Sequence, residues 1–327
     1  MTGLSDSFQR PINYLRISVT DRCNLRCVYC MPESGVELIS HYDILSYEEI
    51  YTVVKAAAEL GINRIRLTGG EPLVRAGISD LVTLISGIDT IDDIALTTNG
   101  ILLARYAAEL KEAGLRRVNI SLDTLKPDRF RKITRCGTLA STLEGIEAAY
   151  AADLTPVKIN VVVMAGVNDD ELTDFAAKTV KDGWNVRFIE LMPSSANESV
   201  SSQLVSVGDM KKRIEVLGKL EPSQIEAGNG PARYFRLPGA RGTIGFISPV
   251  TEHFCIKCNR LRLTADGKLR PCLLSENEID LKEALRSGAP QEELKALISK
   301  AIASKPKNHH LADGAGRRVK PFSQVGG

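Results

Sequence analysis

Apolar residues recur along this chain in two alternating rhythms. Short runs at 14–20, 64–68, 94–98, 117–122, 157–163 and 186–192 alternate with period two and predict strands. Between them, 47–60, 78–88, 102–113, 139–152 and 170–182 show the i, i+3, i+4 spacing of amphipathic helices. Gly61, Gly114 and Gly183 stand where three of these helices would stop. Successive strand–helix repeats predict an α/β fold with a parallel sheet and right-handed crossovers. A partial (β/α)6 TIM-type barrel fits this order best, with a doubly wound open sheet as the alternative.

The rhythm changes after Met192-Pro193. Residues 194–206 are polar and predict a loop; a helical segment at 208–217 and several short β-like pieces follow. Among these, 242–248 reads as a strand and 259–273 as a hairpin turning at Asp266-Gly267. Two more helices and a basic, Gly-containing tail complete the chain. The division expected is a partial barrel over 1–205 and a smaller C-terminal α+β domain over 206–327.

The predicted strands carry an oddity. Parallel strands covered on both faces should be almost wholly apolar, yet Arg16, Ser18 and Thr20 share one face of the first and Arg64, Arg66 and Thr68 one face of the second. Asn119 with Ser121, and Lys158 with Asn160, repeat this on the fourth and fifth; on the sixth, Arg187 lies opposite Glu190 and Met192. An unpartnered buried cation costs several kcal/mol. On any one strand a solvated end explains such residues; on five together, an interior lined for an anionic ligand explains them better.

Composition narrows the function classes. The 327 residues contain 42 Lys and Arg against 40 Asp and Glu, a net charge of +2, so no global field points to nucleic acid or to a membrane surface. No apolar run is long enough to span a bilayer, and the start MTGLSDSFQRPINY has no signal-peptide pattern. The expectation is a cytoplasmic protein without a membrane or nucleic-acid partner. Seven cysteines, six of them in two tight sets at opposite ends of the chain, suit metal binding in a reducing compartment better than disulfides.

The first set, Cys23, Cys27 and Cys30, forms C-x3-C-x2-C directly after the first strand. In α/β barrels the chemistry lies at that end of the strands. Three thiolates on one short loop can hold a 4Fe–4S cube and leave one iron open to a small ligand. A zinc site would need a fourth ligand, and the nearest candidate, His41, fits no common zinc spacing. With Tyr29 before the last cysteine and Thr68-Gly69-Gly70-Glu71-Pro72 after the second strand, the segment resembles the signature of the radical SAM superfamily. The resemblance implies that S-adenosylmethionine (SAM) binds the open iron and yields a 5′-deoxyadenosyl radical. Gly70 would allow close backbone approach, and Glu71 would accept from the SAM ammonium.

The second set is C-x2-C-x13-C: Cys255, Cys258 and Cys272. Its spacing serves either a zinc hairpin with His253 as fourth ligand or a second cluster with an open iron. The radical SAM signature upstream favours the cluster. Arg260, Arg262 and Thr264 share one strand face and Leu261 and Leu263 the other; arginine forks suit phosphates and the acceptor edge of a purine. Both cysteine sets, the NRLRLTADGKLR segment and a terminal Gly-Gly together resemble the GTP 3′,8-cyclase family over essentially the whole chain.

That resemblance implies a lyase of molybdenum-cofactor (molybdopterin) biosynthesis that converts GTP to 3′,8-cyclo-7,8-dihydro-GTP. It implies two 4Fe–4S clusters, SAM as cofactor, an external one-electron donor, a homodimer, and hand-off of product to cyclic pyranopterin monophosphate synthase. Residue by residue, Cys23, Cys27 and Cys30 would hold the SAM cluster and Cys255, Cys258 and Cys272 the substrate cluster. Tyr29, Gly70, Glu71, Ser121 and Met192 would contact SAM; Arg16, Arg66, Thr97, Lys158, Arg260, Leu261 and Arg262 would contact GTP. Arg16, Arg260, Arg262 and the tail Gly326-Gly327 would act in catalysis. Arg75 receives no role, and Cys136 reads as an ordinary thiol. The rivals are a two-cluster radical SAM enzyme acting on a peptide, and a zinc-stabilised binding protein.

Overall fold

The structure is a computed structural model describing residues 4–192, 203–223, 230–309 and 322–325. Six parallel strands come first: β1 (Tyr14–Ser18), β2 (Arg64–Thr68), β3 (Asp93–Thr98), β4 (Arg117–Ser121), β5 (Lys158–Val163) and β6 (Asn185–Glu190). They lie side by side in chain order. A doubly wound sheet would reverse direction at a switch point, so the unbroken order makes this the partial barrel. The connecting helices are α1 (Tyr47–Glu59), α2 (Ile78–Ser86), α3 (Leu103–Glu112), α4 (Pro127–Thr134), α5 (Leu139–Ala151) and α6 (Leu172–Lys181).

Helix α1 shows how local sequence sets these boundaries. The Ser46 hydroxyl accepts from the Glu49 amide while the Glu49 carboxylate accepts from the Ser46 amide, a reciprocal capping box. Its Ile50, Val53, Val54 and Ala57 then face the sheet. The sheet answers with Leu15, Ile17, Ile65, Leu67, Leu96, Ile120, Ile159 and Phe188, all buried between strands and helices. The other strand face is the polar one.

The C-terminal strands extend both edges of this sheet. β7 (Glu221–Ser223), β8 (Arg233–Arg236) and β9 (Thr243–Ile247) add to the β6 edge, with β9 parallel to β6. β10 (Arg260–Leu263), β11 (Lys268–Arg270) and β12 (Ile279–Asp280) add to the β1 edge, with β10 parallel to β1 and β11 turning back on it. Helix α7 (Val207–Ile214) precedes β7; α8 (Lys282–Arg286) and α9 (Gln291–Ala303) follow β12. Most of the loop expected over 194–206 lies outside the described residues. Among the described residues no helix is long and apolar enough to cross a membrane.

Helix α4 is absent from the helices predicted above. It is short and half charged, with Phe130, Ile133 and Thr134 buried, and Pro127 opens it.

Candidate active site

The polar faces of the barrel strands and both cysteine sets line one cavity of about 330 Å³. Strand register fixes their relative places. The loop bearing Cys23, Cys27 and Cys30 leaves β1 beyond Ser18, at the C-terminal end of the barrel strands. Tyr14, the first residue of β1, is registered with Arg260, so Cys255 and Cys258 enter at the opposite end. Arg270 of β11 pairs antiparallel with Arg262, which returns Cys272 to that same end. The two thiol sets therefore stand at opposite ends of the strands with the polar lumen between them.

The first set is held by main-chain contacts. The Gly70 amide donates to Thr20 O and the Glu71 amide to Arg22 O, each at 2.8 Å. A Cβ on Gly70 would lie 2.3 Å from Arg22 O, so the glycine is required by approach to the cysteine loop itself. From the other side, the Arg26 and Val28 amides donate to Thr134 O and Ile133 O at the end of α4. Arg135 closes that helix with φ at +60° and donates to Arg26 O and Met31 O, one on either side of the last two cysteines. Burial pushes the Cys23 thiol up to about 11, partly relieved by donation from the Leu25 amide. Burial, Cys30 and Asp123 push Cys27 well above the ordinary thiol range.

Glu71 borders the cavity, but its carboxylate is buried and accepts from Leu73 N, Thr98 Oγ1 and Asn99 N. Burial raises it to about 7 against those three donors. It joins the turn after β2 to the end of β3, where Asn99 reaches Asn24 in the cysteine loop at 2.7 Å. Tyr29 donates to Asp123 at 2.7 Å, and Asp123 also accepts from Val162 N. Ser121 and Met192 line the cavity with Tyr29 and Gly70.

The lumen is cationic. Arg262, Arg16 and Arg66 stand in register on β10, β1 and β2, three like charges on adjacent strands. Such neighbours destabilise a sheet unless something offsets them. Burial and then Arg262 push Arg16 well down; burial and Arg260 pull Arg262 to about 9. Lys158 falls to about 6 through burial, Arg187 and Arg117. Arg66 donates to the Tyr14 hydroxyl and to Thr97 Oγ1, which also accepts from Asn119. The cations that continue this row at either end are neutralised locally, Arg117 by Asp93 and Arg270 by Glu278. Asn119 Oδ1, Asn160 Oδ1 and Arg187 Nε are buried without a hydrogen-bond partner among the described residues, and all three residues line the cavity.

At the second set, Arg260 lies over the Phe254 ring, 5.0 Å from its centroid. Burial pushes the Cys258 thiol up, but Arg260 and Lys305 outweigh it and hold it at about 6. Leu261 turns into the hydrophobic core, which leaves only its main chain to meet a ligand. His253 faces His309 at 3.1 Å and the carbonyl of Pro249. His41 lines a separate cleft with Arg75 and Arg286. Among the described residues no three His, Cys, Asp or Glu side chains converge on one metal ion; the thiols border the cavity instead. Cys136 is half-buried beside the first loop. Gly326 and Gly327 lie outside the described residues.

Residues 17–178 match the profile described as Radical SAM superfamily, and 184–311 that described as Molybdenum Cofactor Synthesis C. The chain is 55% identical to the GTP 3′,8-cyclase of Moorella thermoacetica over 324 residues, 99% of this chain and 100% of the relative. The chain belongs to the GTP 3′,8-cyclase family, within the radical SAM superfamily. The relative from Pelotomaculum thermopropionicum is 56% identical over 326 residues, again 99% of this chain and 100% of the other. Among solved structures, SuiB of Streptococcus suis bound to S-adenosylmethionine superposes with a TM-score of 0.63 at 12% identity, covering 88% of this chain and 68% of that one. anSMEcpe with bound AdoMet gives 0.59 at 16% identity, covering 91% and 79%. At such identities these two speak for the fold alone. A family of radical SAM enzymes brings SAM and 4Fe–4S clusters as cofactors.

Sequence reading did not single out Asn99, Asp123, Arg135 or Lys305. Each acts through a partner distant in the chain, and no motif marks it.

Proposed function

We propose that this chain is a GTP 3′,8-cyclase, forming 3′,8-cyclo-7,8-dihydro-GTP in the first step of molybdenum-cofactor biosynthesis. The observation that carries the reading is the Arg262–Arg16–Arg66 row set between two thiol triads at opposite ends of one cavity. Each triad offers three soft sulfur donors and no carboxylate, which fits a cluster with one open iron. Cys23, Cys27 and Cys30 would hold the SAM-binding cluster, and Cys255, Cys258 and Cys272 the one facing substrate. When bound, the first cluster and SAM supply the 5′-deoxyadenosyl radical that takes hydrogen from the nucleotide ribose.

The chain's own residues bind, orient and screen. Arg16, Arg66 and Arg262 crowd positive charge that a triphosphate offsets, so ligand binding relieves repulsion that the fold otherwise sustains, and Lys158 beside them gains its charge as the phosphates arrive. Arg260, braced on Phe254, would stand at the guanine end. Thr97, with its neighbour Asn119, and Arg187 present hydroxyl, amide and guanidinium groups to the sugar and phosphates. Tyr29, Gly70, Ser121 and Met192 would surround SAM, while Glu71 fixes the turn that carries Gly70. The Gly326-Gly327 tail would enter the site. A neutral peptide substrate would supply no counter-charge for this cationic row, and His253, the ligand a zinc hairpin would need, is engaged with His309.

We extend the reading to a SAM-binding barrel over 1–205 and a substrate-cluster part over 206–327, an external one-electron donor, a homodimer, and product hand-off to cyclic pyranopterin monophosphate synthase in the cytoplasm. The test is anaerobic incubation of iron-loaded protein with SAM, dithionite and GTP. GTP-dependent 5′-deoxyadenosine together with GTP consumption is expected; deoxyadenosine formation indifferent to GTP would sink the proposal.

A further inference from the structure

Two cations outside every motif grip the second cysteine set, Lys305 from the wall of the cavity and Arg10 from outside it. Lys305, just past α9, is only 3% exposed. Its ammonium donates to Arg260 O at 2.8 Å and to Pro271 O at 2.5 Å. Those carbonyls belong to opposite arms of the β10–β11 hairpin, two residues after Cys258 and one before Cys272. Arg10, buried and ion-paired with Asp6, donates to Cys255 O at 2.7 Å and to the carbonyls of Pro306 and Lys307. Segment 305–307 is thereby strapped to all three cysteine-bearing stretches.

A buried lysine is among the least tolerated side chains in a protein interior. Two main-chain carbonyls satisfy part of its donor capacity without cancelling its charge. The charge makes physical sense opposite a negative group, and a cluster held by three thiolates is one. Both Cys258 and Cys272 lie within electrostatic range of this ammonium.

We propose that Lys305 is a positioning residue of the second cluster: it fixes the span between the arms bearing Cys258 and Cys272, and its buried charge shifts that cluster's reduction potential upward. Hydrogen bonding and local charge are two of the levers that set such potentials. This rests on the reading of Cys255, Cys258 and Cys272 as ligands, and the experiment separates the two.

Full-length protein carrying Cys23→Ser, Cys27→Ser and Cys30→Ser holds only the second cluster, so its iron, sulfide and electron paramagnetic resonance report that cluster alone. In this background Lys305→Met is expected to move the midpoint of the reductive titration to more negative potential or to lose iron, with far-ultraviolet circular dichroism unchanged. Lys305→Arg, which keeps the charge, is expected to restore iron loading and most of the potential. Should Lys305→Met not fold, Lys305→Arg and Lys305→Gln decide, with Gln showing the negative shift and Arg not. Full iron with an unaltered potential and signal in Lys305→Met, or in the Gln variant where Met does not fold, overturns the proposal. If the background protein binds no iron at all, it is the ligand reading that fails instead.

Discussion

Lys158 opens β5 with its ammonium in the cationic lumen, where burial, Arg187 and Arg117 bring it to about 6. At about pH 7.5 the ligand-free protein therefore holds it mostly neutral. Protonating a group that titrates near 6 costs about 2 kcal/mol at that pH, a factor of roughly 30 in affinity. A bound triphosphate favours the charged form and moves the titration back up toward the ordinary lysine range. The sign follows. Over the range in which the phosphates stay ionised, binding is strongest at the low-pH end, where Lys158 is most nearly charged, and weakens by up to tenfold for each pH unit above it. Between about pH 7 and 9 the phosphates of GTP are themselves fully ionised and add little slope. Calorimetry of anaerobic, iron-loaded protein in buffers of different ionisation enthalpy should show uptake of about one proton per GTP. Lys158→Arg keeps its charge over this range and should bind GTP without that uptake. Equal uptake in wild type and Lys158→Arg, or none in wild type, would refute the reasoning.

Other outcomes follow from the same geometry. Arg262→Met removes one cation from the Arg262–Arg16–Arg66 row, so the ligand-free protein should gain about 1–3 kcal/mol and melt a few degrees higher, while GTP affinity falls at least about tenfold; a lower Tm would contradict the crowding. Gly70→Ala drives a Cβ into Arg22 O and should cost about 1–3 kcal/mol, with iron at the first triad lost and the second kept. Iron content of the purified variant checks this. Tyr29→Phe deletes the donor to Asp123 and should cost about 1 kcal/mol, seen as a lower denaturant midpoint with SAM binding weakened in parallel.

Much of this arrangement was legible in the sequence because its signals are local. The six barrel strands fall within a residue or two of the runs that alternate with period two, and the alternation itself exposed the polar lumen. Both cysteine sets could be read by spacing. Less visible was anything set by tertiary register: β9 and β10 join opposite edges of the barrel, and nothing near residues 243–263 announces those partners. The sequence around Gly70 suggests room for a ligand, and only the tertiary structure shows its close approach to Arg22 of its own chain. Sequence context suggests Glu71 as a partner for SAM, and only the tertiary structure shows that its oxygens tie β3 to the turn after β2. Helix α4 hid because it is short and half its residues are charged, and its importance lies in two carbonyls that pair with the cysteine loop. Lys305 hid as one lysine among several before a basic tail.

The most direct test of the central claim uses GTP carrying deuterium at the ribose 3′ carbon. Two triads at opposite ends of one cavity, with the arginine row between them, predict a nucleotide held with its ribose toward the first triad. Under anaerobic turnover with SAM and dithionite, 5′-deoxyadenosine should then carry the deuterium, and the Arg16→Ala and Arg262→Ala variants should form little of it. Deoxyadenosine produced at an undiminished rate without deuterium would contradict the account.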